Sequence, residues 1–205
     1  MTHLENAFIV NALVRQALVA AEEVMGVNGL NAVLRTSGLE RFVGNLPPDD
    51  LKPGVRAQEY ARFNEAIESF YGRGGRGMLR RIGRASFQYA VREQAALMGL
   101  AGAALKLLPQ KQRILFVLNN MANALKKTNP QVNAWIEEKD GRVAFIESTC
   151  AICNGRTSAA PICYLYIGSV GEAVRWASGV EYDVRETHCI ARGDEYCRFE
   201  IGDPL

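Results

Sequence analysis

An acid, a histidine and two cysteines lie within the segment RETHCIARGDEYC, residues 185–197. The crowding is unusual because the whole chain of 205 residues has only two histidines and five cysteines. Thiolate sulfur, imidazole nitrogen and carboxylate oxygen are the ligands that zinc takes in proteins. The segment therefore indicates a candidate metal site, and the elements around it should bring the ligands together.

Two strands joined by a tight turn would place the two cysteines of this segment side by side. If Arg192, Gly193 and Asp194 form a three-residue loop, Cys189 faces Cys197, and opposed residues hold their Cβ atoms about 4.5–5.5 Å apart. This separation suits two thiolates on one ion and, with adjustment, a disulfide. The start MTHLENAFIV has no basic region of a secretory signal, so we expect a cytoplasmic protein with reduced thiols.

A tetrahedral zinc site needs two further ligands, and Cys163 and Glu186 are candidates. Cys163 falls in the first turn of a helix predicted over 160–178, where the helix dipole lowers the pKa of a thiol. Glu186 and Cys189 would point to opposite faces of a regular strand, so their joint use requires a bulge or a strand end nearby. From spacing alone, a metal site and a set of small buried side chains are both open interpretations.

Two other features near the segment leave alternatives. The motif CAIC contains Cys150 and Cys153, which form a redox pair, half of a metal site or a structural loop. Together with Cys189 and Cys197 they would make a competing four-sulfur site. His188 is a candidate outer partner or alternative ligand, because strand alternation places it on the face of Glu186; no nucleophile motif accompanies it for catalysis.

The hydrophobic pattern changes near residue 130. Before this point apolar residues recur at helical spacing, and after it two alternating segments flank one helical segment. Helices are predicted at 8–25, 30–34, 55–71, 76–108 (with a break near Gly99 or Gly102), 109–127 and 160–178, and hairpins at 131–148 and 180–201.

This order of elements predicts an α+β fold, in which N-terminal helices pack on an antiparallel sheet made of two β-hairpins joined by a helix. We expect a single domain over 1–205. Its portion 1–129 is mainly helical, and its portion 130–205 is the hairpin-helix-hairpin unit that contains the metal-site motif.

Composition narrows the class of partner. Hydrophobic residues make up 48% and charged residues 22% of the chain, as in an ordinary globular protein, and the net charge is only +2. So small a charge argues against a nucleic-acid partner. The apolar run 95–108 is too short for a membrane span and contains Lys106.

Arginines and aromatic residues suggest two further sites of interest. The segment GRGGRG, residues 72–77, lacks the preceding strand of a dinucleotide fingerprint and is interpreted as a break between helices. The arginines in and after it form either a solvated face or a clamp for an anionic ligand such as a carboxylate-bearing tetrapyrrole. They are Arg73, Arg76, Arg80, Arg81 and Arg84. Aromatic residues of the 160–178 helix, which are Tyr164, Tyr166 and Trp176, are expected mainly in the core.

The stretch from Cys150 to Phe199 closely resembles the 4-vinyl reductase domain family. The resemblance rests on CAIC, PICYLYIGSVGEAVRWASG and VRETHCIARGDEYCRFEIG and covers about fifty residues. The family is named for bacteriochlorophyll-pathway proteins, and similar domains occur in the sensor modules of aromatic-responsive transcriptional activators. Its fold is shared with ligand-binding domains of nitric-oxide signalling and of Golgi transport tethering.

The resemblance implies a set of metal ligands. In the aromatic sensors the pattern Cys-x22-Glu-x2-Cys-x7-Cys holds zinc, and this chain has it as Cys163, Glu186, Cys189 and Cys197. The site would be closed and structural. The sensors carry a tyrosine two residues before the glutamate, whereas this chain has Val184, which argues against phenol as the ligand. The arginines at hand to offset the negative charge are Arg185, Arg192 and Arg198.

We therefore expect a zinc-containing carrier or sensor that binds a small hydrophobic molecule, for instance a tetrapyrrole of bacteriochlorophyll biosynthesis. One alternative is a vinyl reductase, although we find no nicotinamide or flavin motif in the sequence. Another alternative is a dimeric protein-interaction or tethering module. The long apolar helices make a homodimer the expected state in either case.

Overall fold

The computed structural model of the chain describes residues 7–94, 105, 107–129 and 131–205. Four helices form most of the part before residue 130, close to the predicted positions. They are α1 (Asn11–Thr36), α2 (Ala57–Tyr71), α3 (Gly75–Gln94) and α4 (Gln110–Thr128). The predicted break near Gly99 or Gly102 lies outside the described residues.

The first helix is interrupted where the sequence predicts a stop. Gly26 has φ 76° and ψ 162°, values outside the helical region that glycine adopts without a Cβ penalty. Before α1, the short strand β1 (Phe8–Val10) pairs with β2 (Pro53–Arg56). The predictions of helix from Phe8 and of a strandless connector at 44–54 were therefore wrong, because the β-branched pair after Phe8 joins a backbone ladder instead.

The second part contains the predicted four-stranded antiparallel sheet, in the order β3-β4-β6-β5. Hairpin β3–β4 turns through Asp140 and Gly141, which both have positive φ, of 52° and 77°. Such a two-residue turn matches the twist of antiparallel strands, so the KDG prediction was correct. Strand β6 pairs with both β4 and β5 and so joins the two hairpins into one sheet. The strands are β3 (Ala134–Lys139), β4 (Arg142–Glu147), β5 (Tyr182–His188) and β6 (Cys197–Pro204).

Helix α5 (Tyr164–Ser178) connects the hairpins and is buried over most of its length. It begins later than predicted, so Pro161 precedes it and Cys163 is its N-cap residue. Two glycines set its crossing with α3. A Cβ on Gly83 would lie 2.0 Å from the carbonyl oxygen of Leu165, and one on Gly168 would lie 2.0 Å from that of Arg80. The two backbones are therefore in contact, which only glycine permits.

The described residues of both parts contribute to one hydrophobic core, with fully buried side chains from Leu18 in α1 to Phe199 in β6. The α+β arrangement of helices on an antiparallel sheet is thus confirmed, whereas a single domain over the whole chain stays a prediction. Among the described helices, α1 alone is long and apolar enough to cross a membrane. A core helix near the N-terminus meets the same criterion, so this is weak support for a membrane span.

Candidate functional site

The five cysteines converge on one buried position. All five are free thiols and are buried. The sulfur of Cys163 lies 3.9 Å from the sulfurs of both Cys189 and Cys197, and 3.6 Å from that of Cys150. Cys153 contacts Cys197, with their sulfurs 3.5 Å apart. This cysteine cluster sits between the start of α5 and the β5–β6 hairpin.

The predicted ligand set is assembled within the cluster. The ligand atoms of Cys163, Glu186, Cys189 and Cys197 all lie within 4.8 Å of one another. With zinc–sulfur bonds of about 2.3 Å, two thiolates on one tetrahedral ion lie about 3.8 Å apart, which the observed spacing matches. Glu186 Oε2 accepts a hydrogen bond of 2.7 Å from the Cys163 N–H. Its buried Oε1 has no hydrogen-bond partner among the described residues, so this oxygen fits a metal ligand.

An irregularity in β5 makes this set possible. The pairing register of β5 with β6 shifts between Glu186 and His188, and the strand ends at His188. The shift is the bulge that joint use of Glu186 and Cys189 requires. The same shift makes the prediction for His188 wrong, since it leaves the face of Glu186. His188 instead lies half-buried, with Nδ1 3.1 Å from Thr187 Oγ1, and its ring is 5.5 Å from that of Tyr196.

The hairpin turn is longer than predicted. Residues 189–196 separate the strands, and a short 3₁₀ helix (Ile190–Arg192) occupies part of the turn, so the three-residue loop was wrong. The physical reason is local hydrogen bonding. The Ile190 N–H donates to the sulfur of Cys197 over 3.4 Å, and the Cys189 N–H donates to Asp194 Oδ2 over 2.7 Å. Together these bonds curl the loop around the Cys197 sulfur.

The environment of the cluster shifts the pKa values of its acids. Burial, with the charge of Cys189, raises the pKa of Glu186 to about 8. A hydrogen bond with Cys153 opposes ionisation of Cys189, but hydrogen bonds from Cys163 and Cys197 lower its pKa to about 6. Burial raises the pKa of Cys163 well above its usual value. A divalent cation at this position would favour the anionic form of each of these groups.

The other two cysteines join a second donor group. Cys150, Cys153, Cys163 and Cys197 also have ligand atoms that all lie within 4.8 Å of one another. The sequence suggested Cys189 in place of Cys163 for a four-sulfur set, but the loop after β4 folds back onto the start of α5. Spacing along the chain carried no signal for this contact, because it depends on how the loop packs.

The arginines of the hairpin bind carboxylates of the sheet and the turn rather than the cluster. Arg192 pairs with Asp194, the residue that holds the Cys189 N–H. Arg185 pairs with Asp183. Arg198 pairs with Glu137 on β3.

A cavity of about 160 Å³ lies beside the cluster. Its walls come from β1, α1, α3, α4, α5 and the loop after β4, and they are mainly apolar. Three polar atoms in this lining are buried without a hydrogen-bond partner among the described residues: Gln16 Nε2, Ser86 Oγ and Glu147 Oε2. A buried polar atom without a partner is costly, so the three atoms mark the polar end of a binding site. Sequence reasoning missed all three because each stands alone in its segment.

Glu147 links the cavity to the cysteine cluster. Burial raises its pKa to about 7, a hydrogen bond with Tyr166 acts in the opposite direction, and the charge of Cys153 raises it further. Thr149 and Ile152 line the cavity, and the cluster cysteines at 150 and 153 alternate with them. The segment 147–153 is thus a wall common to both sites.

The predicted aromatic set divides between core, cavity and surface. Tyr164 is buried, and Tyr166 lines the cavity while its ring packs 5.3 Å from that of Phe199. Trp176 is 40% exposed, so its expected place in the core was wrong. It lies near the C-terminal end of α5, two residues before the helix ends at Ser178.

The arginine group after GRGGRG makes contacts within this chain. The guanidinium groups of Arg76 and Arg80 lie 5.3 and 6.0 Å from the centre of the Tyr164 ring. Arg84 pairs with Glu181 and with the buried Glu172. Arg73 and Arg81 are exposed, as a solvated face predicts.

Comparison with known proteins gives one family match and a set of related folds. Residues 144–203 match the model of the 4-vinyl reductase domain. The fold is similar to that of an unliganded Fe(II) H-NOX protein from K. algicida, at 12% identity, covering 96% of this chain and 97% of that one, with a TM-score of 0.58. An H-NOX protein from S. oneidensis in the Fe(II)NO state matches at 10% identity, covering 93% and 98%, with a TM-score of 0.56.

An oxygen-binding H-NOX domain related to soluble guanylate cyclases matches at 12% identity, covering 91% and 89%, with a TM-score of 0.58. Identities this low establish a shared fold and nothing more. No curated protein matches the sequence.

Proposed function

We propose that this chain, whose residues 144–203 match the 4-vinyl reductase domain family, is a zinc-containing carrier or sensor of a small hydrophobic molecule. The family match and the H-NOX-like fold suggest a domain that binds or senses small molecules. One observation carries the proposal. An apolar cavity with three unpartnered polar atoms adjoins a cysteine cluster whose spacing suits zinc.

The zinc would have a structural role. Cys163, Glu186, Cys189 and Cys197 would hold it, and together they belong to the start of α5, the end of β5 and the start of β6. Four protein ligands leave no open position for a substrate, as in other structural sites. Zinc supplies the positive charge that keeps these four groups anionic and close, so its binding free energy stabilises the folded chain.

The cavity volume favours a compact ligand. About 160 Å³ is close to the roughly 150 Å³ of an engineered apolar cavity that binds benzene, and below the about 300–1,000 Å³ of pockets for drug-sized ligands. A tetrapyrrole of bacteriochlorophyll biosynthesis has four such rings, so it would require the cavity to widen. The geometry therefore supports a molecule of about one ring before it supports a tetrapyrrole.

The polar end of the cavity specifies one more property of the ligand. Glu147 Oε2 accepts a hydrogen bond and Gln16 Nε2 donates one, while Ser86 Oγ does either. An apolar molecule that bears a hydroxyl or N–H group would satisfy these atoms. A pure hydrocarbon would leave them without partners, which costs about 1–3 kcal/mol for each buried group.

Native mass spectrometry of freshly purified protein tests the proposal. We expect zinc bound to the folded chain, together with a copurified small molecule or, in its absence, saturable binding of benzyl alcohol. The same measurement reports the number of chains, so it also tests the predicted homodimer. A metal-free chain that binds neither benzyl alcohol nor protoporphyrin would overturn the proposed function.

A further inference from the structure

The two donor groups of the cysteine cluster share two thiols, Cys163 and Cys197. We propose that the cluster holds two zinc ions bridged by the thiolates of Cys163 and Cys197. Glu186 and Cys189 complete the coordination of the first ion. Cys150 and Cys153 complete that of the second ion. The inference rests on the proposed zinc site, to which it adds a second ion.

The distances within the second group support this arrangement. Sulfur atoms bound to one tetrahedral zinc ion lie about 3.8 Å apart. Cys150 and Cys153 place their sulfurs 3.6 and 3.5 Å from those of Cys163 and Cys197, respectively, and the two shared sulfurs are 3.9 Å apart. Two tetrahedra that share an edge have two common corners and two separate corners each. The six donors of the cluster divide in that way.

The positions of Cys150 and Cys153 favour metal ligands over packing residues. Both thiols are almost fully buried, at 2% and 1% exposure. Their polar contacts are to other cysteines of the cluster and, for Cys153, to the Cys150 carbonyl oxygen at 3.9 Å. The Cys-x2-Cys spacing is the one that lets a single turn of chain supply two ligands to one zinc ion.

The charge of the cluster accommodates a second ion. One divalent ion with three thiolates and one carboxylate leaves two negative charges in excess. When a second Zn²⁺ binds, the S–H bonds of Cys150 and Cys153 break, two protons pass to solvent and zinc–sulfur bonds replace them. The excess charge is unchanged, because the two positive charges of the ion replace those of the two protons.

The second ion would also act on the ligand cavity. Thr149, Ala151 and Ile152 line the cavity and lie between or beside the two additional ligands. Fixing Cys150 and Cys153 to zinc would therefore fix one wall of the cavity. The first ion, held by the α5 start and the hairpin, does not reach this segment through a ligand of its own outside the two shared thiols.

Zinc counting on the full chain tests the inference. Reduced protein is loaded with zinc, passed through a desalting column to remove weakly bound metal, and analysed by native mass spectrometry. We expect two zinc ions for each chain. The Cys150→Ser/Cys153→Ser variant should retain one, and so should the Glu186→Gln/Cys189→Ser variant.

Each other count has a definite meaning. One ion in the wild type that the Cys150→Ser/Cys153→Ser variant retains would overturn the second ion and leave the proposed function intact. No bound ion would overturn both proposals. Two ions that this variant also retains would place the second ion elsewhere and overturn the inference. The wild-type count decides alone should a variant fail to fold.

Cobalt substitution tests the bridging thiolates separately. Two cobalt(II) ions that share two thiolates couple magnetically, so the electron paramagnetic resonance intensity for each cobalt should fall between one and two equivalents. Intensity that rises in proportion up to two equivalents would contradict bridging by Cys163 and Cys197.

Discussion

The cysteine cluster and the ligand cavity are neighbours in the same buried layer, but they are built in opposite ways. In the cluster, five sulfurs and one carboxylate crowd together at contact distances. In the cavity, space of about 160 Å³ is left open and three polar atoms lack partners among the described residues. The contrast shows how one region can be arranged for permanent occupancy by an ion and the next for exchange of a ligand.

The segment 147–153 is where the two regions meet. Glu147, at the end of β4, faces the cavity, and Cys150 and Cys153 face the cluster. A change confined to the cluster should therefore act first on stability, and a change confined to the cavity should act first on ligand binding. This separation can be tested by substitutions in each region.

The largest effect is expected for Cys163→Ala, which removes a sulfur common to both donor groups. Loss of zinc would leave several buried acids without a cation, and we expect the free energy of unfolding to fall by about 5 kcal/mol or more. Zinc analysis and urea unfolding measure the outcome. Treatment of the wild type with a chelator should reproduce it, and a variant as stable as a wild type that ignores chelators would contradict the structural role of the metal.

Glu147→Gln should alter the pH dependence of stability by about 3 kcal/mol, the free energy equivalent of the shift in pKa. Burial raises the pKa of this carboxyl from 4.5 to about 7 in the folded chain, so the folded state binds its proton more tightly than the unfolded state. The stability that protonated Glu147 contributes is present below about pH 4.5 and is lost as the pH rises through about 7. Relative to the wild type, the glutamine variant should gain stability across this window.

Urea unfolding of both proteins at several pH values measures this difference, and the effect of pH on zinc binding cancels in the comparison. The same variant tests ligand recognition with two probes of equal size. Wild type should prefer benzyl alcohol over ethylbenzene, because the hydroxyl donates to Glu147, and the preference should weaken in the variant. A constant stability difference across the pH range would contradict the burial of an ionisable Glu147.

A pair of alanines separates the open cavity from the packed core. Ala17 lines the cavity, whereas Ala20, on the same helix and equally buried, does not. Ala17→Leu should abolish binding of benzyl alcohol and change stability by less than about 1 kcal/mol, since it fills existing space. Ala20→Leu should cost about 1–3 kcal/mol by overpacking. Equal destabilisation by both substitutions, followed by thermal unfolding, would mean that the cavity is not open.

The smallest effect is expected for His188→Ala. His188 lies beside Tyr196 at the end of β5 and belongs to neither donor group of the described residues. We expect unchanged zinc content and a change in stability of less than about 1 kcal/mol. A loss of zinc would instead make His188 a ligand and would bring back the alternative that strand alternation suggested.

Local patterns were sufficient for much of the fold. The KDG turn requires positive φ at two consecutive residues, and Asp140 and Gly141 have it. Gly26 interrupts α1 and Gly179 ends α5 with φ 78°, both as the sequence predicts. Pairing between distant segments was less visible, so the β1–β2 ladder was missed and the β5–β6 turn was predicted too short.

The candidate site shows the same division. The spacing of Cys163, Glu186, Cys189 and Cys197, with the family resemblance, was enough to name one donor group, which the fold brings within 4.8 Å. The contact of Cys150 with Cys163 and the unpartnered oxygen of Glu147 were not foreseeable, since no pattern within their own segments marks them.

The sequence by itself determined the helices, the two hairpins, the bulge required near Glu186 and the choice of zinc-type ligands, because these follow from backbone preferences and side-chain chemistry over short ranges. Only the tertiary structure decided which thiols touch and where space is left unfilled. Contacts and cavities of that kind arise when segments far apart in the chain pack together, and the position of α5 against α3, with two glycines at the crossing, sets both.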